Sequence, residues 1–305
     1  MTRTPHVLML FLDGVGIGRK NARYNPFFAT NLRAFQSLLG ETMPHLRDAH
    51  RVSASASLVP INATLGVAGL PQSGTGQTSL LTGINAARRI GKHYGPYPYS
   101  ALRTVIKERN IFHQLHMKGK MVFYANAFPQ QFFDHIKTSA NHVTAITMSW
   151  IMSGFPLNDH SALAAGKALS SDITSERWNK LGFPRVPVST PQEAGRRLIG
   201  FTQQYDFVLY EYYLTDHAGH SQSMEEAKEI LHNLDGLLEG ILCSINADST
   251  LFVVTSDHGN MEDLSTKSHS RNPVPLLCVG HKHRQFAQSV KNITHVTPAI
   301  VNMMQ

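Results

Sequence analysis

Three short, largely apolar runs, each followed within two residues by an aspartate, constrain this chain more than any other feature. HVLMLFL (6–12) leads into Asp13, DFVLYEYYL (206–214) into Thr215 and Asp216, and TLFVVTS (250–256) into Asp257. A short apolar run bounded by turn-forming residues reads as a strand buried on both faces. Lys120–Asn126 and Val274–Val279 read the same way. Amphipathic stretches alternate with these runs, with helices expected at Asn31–Leu39, Ser79–Asn85, Leu102–Lys118, Pro191–Gln204 and Ser223–Ile245. In the last of these Ile230, Leu234, Leu237, Leu238 and Ile241 recur at helical spacing. Strands alternating with helices predict an α/β fold with a mostly parallel central sheet covered on both faces. Residues 134–187 break the rhythm with polar, irregular text, and are expected to form a small inserted cap. The core would then be discontinuous, residues 1–133 and 188–305.

In an open α/β sheet, ligands bind beyond the carboxyl ends of the strands, so residues far apart in sequence converge there. Asp13, Asp216 and His220 (in TDHAGH), and Asp257 and His258 (in SDHGN) fall at that edge, and His269 precedes the strand of NPVPLLCVG. Each has an ordinary explanation by itself. Asp-Gly after a strand is usually a turn, and an Asp and a His four apart are usually a surface pair. Six such residues at one sheet edge are a different matter, because together they supply enough oxygen and imidazole donors for two metal ions.

LPQSGTGQTSLLTG (70–83) adds small, hydroxyl-bearing residues running into an apolar helical stretch. A helix start of that kind presents backbone N–H groups and a dipole end that favour an anion or an alkoxide. Ser73, Thr75, Thr78 and Ser79 are the available hydroxyls, although a Ser or Thr there often serves only as a cap. GVGIG (14–18) lacks the third glycine of a dinucleotide fingerprint.

The formal charge of +7 suits an anionic partner. The basic residues are scattered, with Arg88, Arg89, Lys92 and His93 the densest group, and no nucleic-acid-binding signature accompanies them. A basic surface around a site for a small anion is the simpler reading, and a nucleic-acid-binding protein is the alternative. Cys243 and Cys278 form no metal-binding or disulfide spacing, which favours a reducing compartment. No apolar stretch approaches the ~20 residues of a membrane span. A soluble cytoplasmic protein without membrane association is expected, its oligomeric state open.

FLDGVGIG, QSGTGQTSLLTG, TDHAGH, SDHGN and HSRNPVP together resemble the alkaline phosphatase superfamily, most closely its cofactor-independent phosphoglycerate mutase and phosphopentomutase branch. The resemblance covers about residues 6–133 and 205–300. It implies an alkaline-phosphatase-like three-layer core and a phosphoryl-transfer activity on a small phosphorylated substrate. In related sulfatases and nucleotide pyrophosphatases the nucleophile stands seven residues before the first Leu of the LLTG-like stretch, which selects Ser73. The resemblance also implies two divalent ions, Mn2+ or Zn2+. Asp13, Ser73, Asp257 and His258 would hold one, and Asp216, His220 and His269 the other. Arg88, Arg89, Lys92, His93 and Arg271 are candidates for binding substrate, with Arg103, Lys118 and Lys120 as further basic groups near in sequence. SGTGQ lacks the Pro and Arg of a sulfatase motif. The stretch 134–187 is shorter than the second domain of a phosphoglycerate mutase or the cap of a phosphopentomutase. Water is therefore the expected acceptor, giving a hydrolase of phosphate esters. A phosphomutase or phosphotransferase with a reduced cap is the alternative, and a non-catalytic relative is a third reading.

Overall fold

The computed structural model describes residues 5–40, 43–139 and 142–305. Seven strands form one sheet: β1 (His6–Leu12), β2 (Arg51–Val52), β3 (Ala56–Ile61), β4 (Val122–Tyr124), β5 (Phe207–Tyr212), β6 (Thr250–Ser256) and β7 (Val274–Gly280), in the order β2-β3-β7-β6-β1-β5-β4. The four strands β4, β5, β1 and β6 run parallel, whereas β7, β3 and β2 each pair antiparallel to the preceding strand. Strand β3 thus points the same way as the central four. The fold is α/β, with a mixed and mostly parallel sheet.

The register explains why the acidic residues meet. Leu12, the last residue of β1, lies opposite both Tyr212 of β5 and Ser256 of β6. Asp13 and Asp257 therefore leave the sheet at one level. Asp216 follows on the first turn of the helix Leu214–Ser221.

Alternate residues of the central strands feed two apolar layers, as a pleat with a two-residue period requires. Leu8, Leu10 and Leu12 pack with Leu198, Leu231, Leu234 and Leu238 from the helices Pro191–Gly200 and Met224–Leu242. Val7, Met9 and Phe11 pack on the other face with Leu80, Ile106, Phe112, Ile146 and Ile300. Burial of both faces accounts for the unbroken apolar text of β1 and β6. Each fully buried Leu or Phe contributes about 1.5–3 kcal/mol.

Several elements differ from the sequence reading. The helix expected from Ser79 begins at Ser73 and ends at Thr82, with Gly83 in the left-handed conformation at its end (φ 74°). The stretch expected as one helix over Leu102–Lys118 is broken at Asn110, whose side chain accepts from His113 N (3.0 Å) and starts a second helix, Ile111–His116. Strand β3 escapes periodicity because Pro60 interrupts it. Pro60 lies opposite Pro275 of β7, near the sheet edge where a missing N–H is tolerated. Within 134–187, the helix Ala145–Met152 joins the same apolar layer as Val7 and Met9. Ala127, Leu163, Ala168, Trp178 and Val186 instead form a small cluster of their own. Among the described residues, no helix is long and apolar enough to cross a membrane.

Candidate metal centre and nucleophile

Four segments deliver the polar cluster to the carboxyl edge of the sheet. Asp13 follows β1 and Asp257–His258 follow β6. Asp216 and His220 share one face of a helix by their four-residue spacing. His269 is brought in by a bridge between the loops, in which Ser270 N donates to Gly259 O (2.8 Å). Gly14 turns the chain after Asp13 with φ 66°, and any side chain there would overlap the Asp216 carboxylate.

Ser73 stands at the first position of the helix Ser73–Thr82. Its hydroxyl lies 2.9 Å from His258 Nε2. That nitrogen is also 3.4 Å from Asp13 Oδ1 and 3.4 Å from Asp257 Oδ2. Beside this group, Asp216 Oδ2 lies 3.2 Å from His220 Nε2, and Asp216 Oδ1 lies 3.6 Å from His269 Nε2. The two histidine Nε2 atoms are 3.2 Å apart. Stacking of the His258 and His269 rings, with centroids 3.8 Å apart, joins the two groups. All seven residues singled out from sequence, Asp13, Ser73, Asp216, His220, Asp257, His258 and His269, thus meet in one place.

The electrostatics of this cluster call for a cation. Burial, followed by the neighbouring Asp257 and Asp216 carboxylates, holds the Asp13 carboxyl well above the usual carboxylate range. Burial and Asp216 do the same to Asp257. Asp13 Oδ1 and Asp257 Oδ2 are buried without a hydrogen-bond partner among the described residues, an arrangement that costs free energy unless positive charge is supplied. Burial, then His269, pushes His258 down to about 3, so its imidazole is neutral at physiological pH and free to act as a ligand. The backbone fixes the Nδ1 sides: His269 Nδ1 lies 2.8 Å from Pro71 O and His220 Nδ1 lies 2.8 Å from Lys267 O. Both Nε2 atoms are thereby turned inward, as in metal sites where the second ring nitrogen is held by a carbonyl. Donor atoms of Asp13, Asp257 and His258 lie within 4.8 Å of one another, as do those of Asp216, His258 and His269. These residues fit divalent ions.

A supporting shell was not legible from sequence. Gln77, one turn after Ser73, donates to Asp13 Oδ2 (3.2 Å) and accepts from Ala145 N (3.2 Å). Asn260 Nδ2 donates to Asp216 Oδ1 (2.7 Å). Buried Glu262 accepts from Gly16 N (2.9 Å), Asn260 N (2.8 Å) and Asn272 Nδ2 (2.9 Å), and from the Ser270 hydroxyl. It fastens the loops after β1 and β6 to the loop that carries His269. Asn260 and Asn272 lie inside SDHGN and HSRNPVP, the one signal that sequence offered for them.

The basic candidates divide by position. Arg271 Nε donates to Gly69 O (3.1 Å) beside the half-buried His93, whose imidazole burial holds below its usual range. Lys92 lies 5.7 Å from the centre of the Tyr94 ring. Tyr94 O in turn accepts from Thr75 N (2.9 Å), which places this loop over the start of the Ser73 helix. Arg88 and Arg89 are exposed in the last turn of the helix Ala86–Ile90. Lys118 and Lys120 precede β4, which runs parallel to β1, so they sit at the sheet edge opposite the cluster; this corrects their grouping with the site. Arg103 begins the helix Arg103–Arg109.

Parts of the chain, and its fold as a whole, are similar to known proteins. Residues 188–305 match the model of the Metalloenzyme superfamily. A 2,3-bisphosphoglycerate-independent phosphoglycerate mutase 1 from Methanocaldococcus jannaschii is 34% identical over 103 residues, covering 34% of this chain and 25% of its own. A 2,3-bisphosphoglycerate-independent phosphoglycerate mutase from Antithamnion sp. is 24% identical over 171 residues, covering 53% and 32%. The matched part of the chain thus spans a third or less of these relatives. In fold, the chain is similar to alkaline phosphatase from the Antarctic bacterium TAB5, with a TM-score of 0.57 at 13% identity over 99% of this chain and 98% of that one. A Leishmania mexicana phosphoglycerate mutase superposes with a TM-score of 0.50 at 11% identity, over 99% and 95%. Residues 188–305 are thus similar to the Metalloenzyme superfamily, in a chain whose fold is that seen in an alkaline phosphatase and a phosphoglycerate mutase.

Proposed function

We propose that this chain is a metal-dependent phosphoryl-transfer enzyme that hydrolyses phosphate esters through Ser73. The observation that carries the proposal is the Ser73 hydroxyl, 2.9 Å from a neutral, buried His258 and beside two buried carboxylates with unpartnered oxygens. Asp13, Ser73, Asp257 and His258 would hold one divalent ion, and Asp216, His220 and His269 a second. Bound there, the ions supply Lewis acidity that favours the serine alkoxide and offsets phosphoryl charge. Oxygen and imidazole donors without thiolate suit Mn2+ or Zn2+.

The chain's own groups do the rest. The N-terminal end of the Ser73 helix favours negative charge at the hydroxyl. Ser73 Oγ attacks phosphorus; the bond to the ester oxygen breaks, and the alcohol departs with a proton. Water then displaces Ser73 Oγ from the phosphoserine and releases inorganic phosphate. Water as acceptor is supported by the shortness of 134–187, of which Ala145–Met152 is committed to the core. The mutase names of the curated relatives favour a second reading, transfer from phosphoserine to another hydroxyl of the substrate.

The test loads the purified chain separately with Mn2+ and Zn2+ and follows phosphate release from an aryl phosphate. Turnover that depends on metal and disappears in Ser73→Ala is the expected result. Full turnover in Ser73→Ala would overturn the serine assignment. Metal binding without phosphate release, together with positional isomers of a polyhydroxy phosphate, would move the reading to a mutase.

A further inference from the structure

A cavity of about 290 Å³ opens at the carboxyl ends of β4 and β5, next to the cluster. Tyr97 on its wall overhangs the residue after Ser73, since a side chain on Gly74 would strike Tyr97 O. Thr144 on the opposite wall precedes Ala145, the partner of Gln77. The aromatic side chains of Tyr97, Tyr124, Phe128, Phe132 and Tyr213 line the space; among the described lining residues there is no Lys or Arg, and His142, its ring 5.4 Å from that of Tyr97, is the one basic side chain. Glu211, in β5, is the one acidic residue of the lining and is 3% exposed.

The Glu211 carboxyl is incompletely satisfied. Its Oε2 accepts the Tyr124 hydroxyl. Its Oε1 is buried and has no hydrogen-bond partner among the described residues. The Thr144 hydroxyl donates to Thr147 Oγ1 (3.1 Å) and stands close enough to Glu211 to favour its charged form, as the Tyr124 hydroxyl also does. Burial pushes Glu211 up to about 7. A carboxylate accepts hydrogen bonds only, and aromatic faces attract cations and repel anions. A neutral hydroxyl would satisfy Oε1 but gain little from the rings. A cation gains from both, from the rings and from the charge of the Glu211 carboxylate, even where, as in a quaternary ammonium, it has no N–H to donate.

We propose that this cavity binds a positively charged amino or alkylammonium group on the alcohol part of the substrate, with Glu211 as its counter-charge. The proposal rests on the phosphoryl-transfer reading of the neighbouring cluster and narrows it to zwitterionic phosphate esters. Phosphate would sit at the metal end, and the cation would sit among the aromatic rings. The two ends of the site thus select opposite charges.

Calorimetric titration of the metal-loaded full chain with choline, and with its neutral isostere 3,3-dimethylbutanol, tests this directly. Choline is expected to bind at least about 10-fold more tightly, and Glu211→Gln to reduce that preference to about 2-fold. Tyr97→Ala, at the exposed mouth, is expected to weaken choline several-fold without touching the buried carboxyl. It supplies the test should Glu211→Gln fail to fold. Equal binding of the two probes would overturn the proposal. So would loss of a bound metal equivalent in Glu211→Gln, because the carboxylate would then be a metal ligand. Aryl phosphate turnover in the same preparation separates the two readings. Turnover without choline preference removes the cation pocket alone, whereas choline preference without turnover upholds the pocket and removes the hydrolase reading.

Discussion

Asp13, Ser73, Asp257 and His258 are at most 7% exposed, whereas 47% of the His220 side chain faces solvent beside a partly open Asp216. The two halves of one cluster therefore sit in different dielectric surroundings. In the inner half, charge cannot be relieved by water, so two carboxylates are held protonated or must be matched by a cation. In the outer half, water can serve as ligand and counter-charge. On the two-ion reading proposed above, the inner ion would be bound up with the integrity of the chain, and the outer ion would be the one that exchanges.

The sharpest way to break this comparison is Asp257→Asn. Metal-dependent turnover should fall by at least about 10³-fold, the scale of losing a member of a catalytic unit, and metal analysis should show the inner ion missing. The same variant sharpens it in the absence of metal. The folded-state pKa of Asp257 is raised, so its carboxyl favours the folded chain while protonated, and this advantage is lost as pH rises above the unfolded value near 3.8. In chelator, wild-type Tm should therefore fall relative to Asp257→Asn as pH increases through that window. A constant difference in Tm would show that the inner pair is not charge-frustrated.

His220→Ala tests the other half. Turnover should fall by about 10- to 100-fold, with the outer ion weakened and the inner one retained. Equal loss of both ions on metal analysis would mean that the halves are not independent. The smallest effect is expected for Arg88→Ala with Arg89→Ala. Both side chains are exposed, and kcat/KM for an aryl phosphate should change by about 2-fold or less. A larger rise in KM would restore them to the substrate site, alongside Arg271 and His93.

The cluster was readable from sequence because its ligands sit where apolar runs stop, and a strand end is a position that local text reveals. Its supports were not readable. Gln77 and Glu262 act through partners 64 and 246 residues away, Asp13 and Gly16, with no spacing to announce them. Glu211 lies inside a run read as a buried strand, and nothing in the local text marks one acidic residue there as the wall of a cavity. The start of the Ser73 helix was misplaced for a related reason. Gly74 and Gly76 weaken a helix by local propensity, yet tertiary contact demands them. A Cβ on Gly76 would come within 3.0 Å of Asp257 Cβ, and one on Gly74 would meet Tyr97 O. Close approach of the helix to the cluster overrides propensity, and only the folded molecule displays that.

The alignment of Leu12 with both Tyr212 and Ser256 has a consequence for assembly. A slip of β1 by one residue against β6 would carry Asp13 about 3.3 Å along the sheet and turn it to the opposite face. The ion would then lose a ligand. On the proposed reading, only a chain whose parallel strands have found their proper pairing would retain the inner metal, and the ion would act as an inspector of the finished fold as well as a participant in its chemistry.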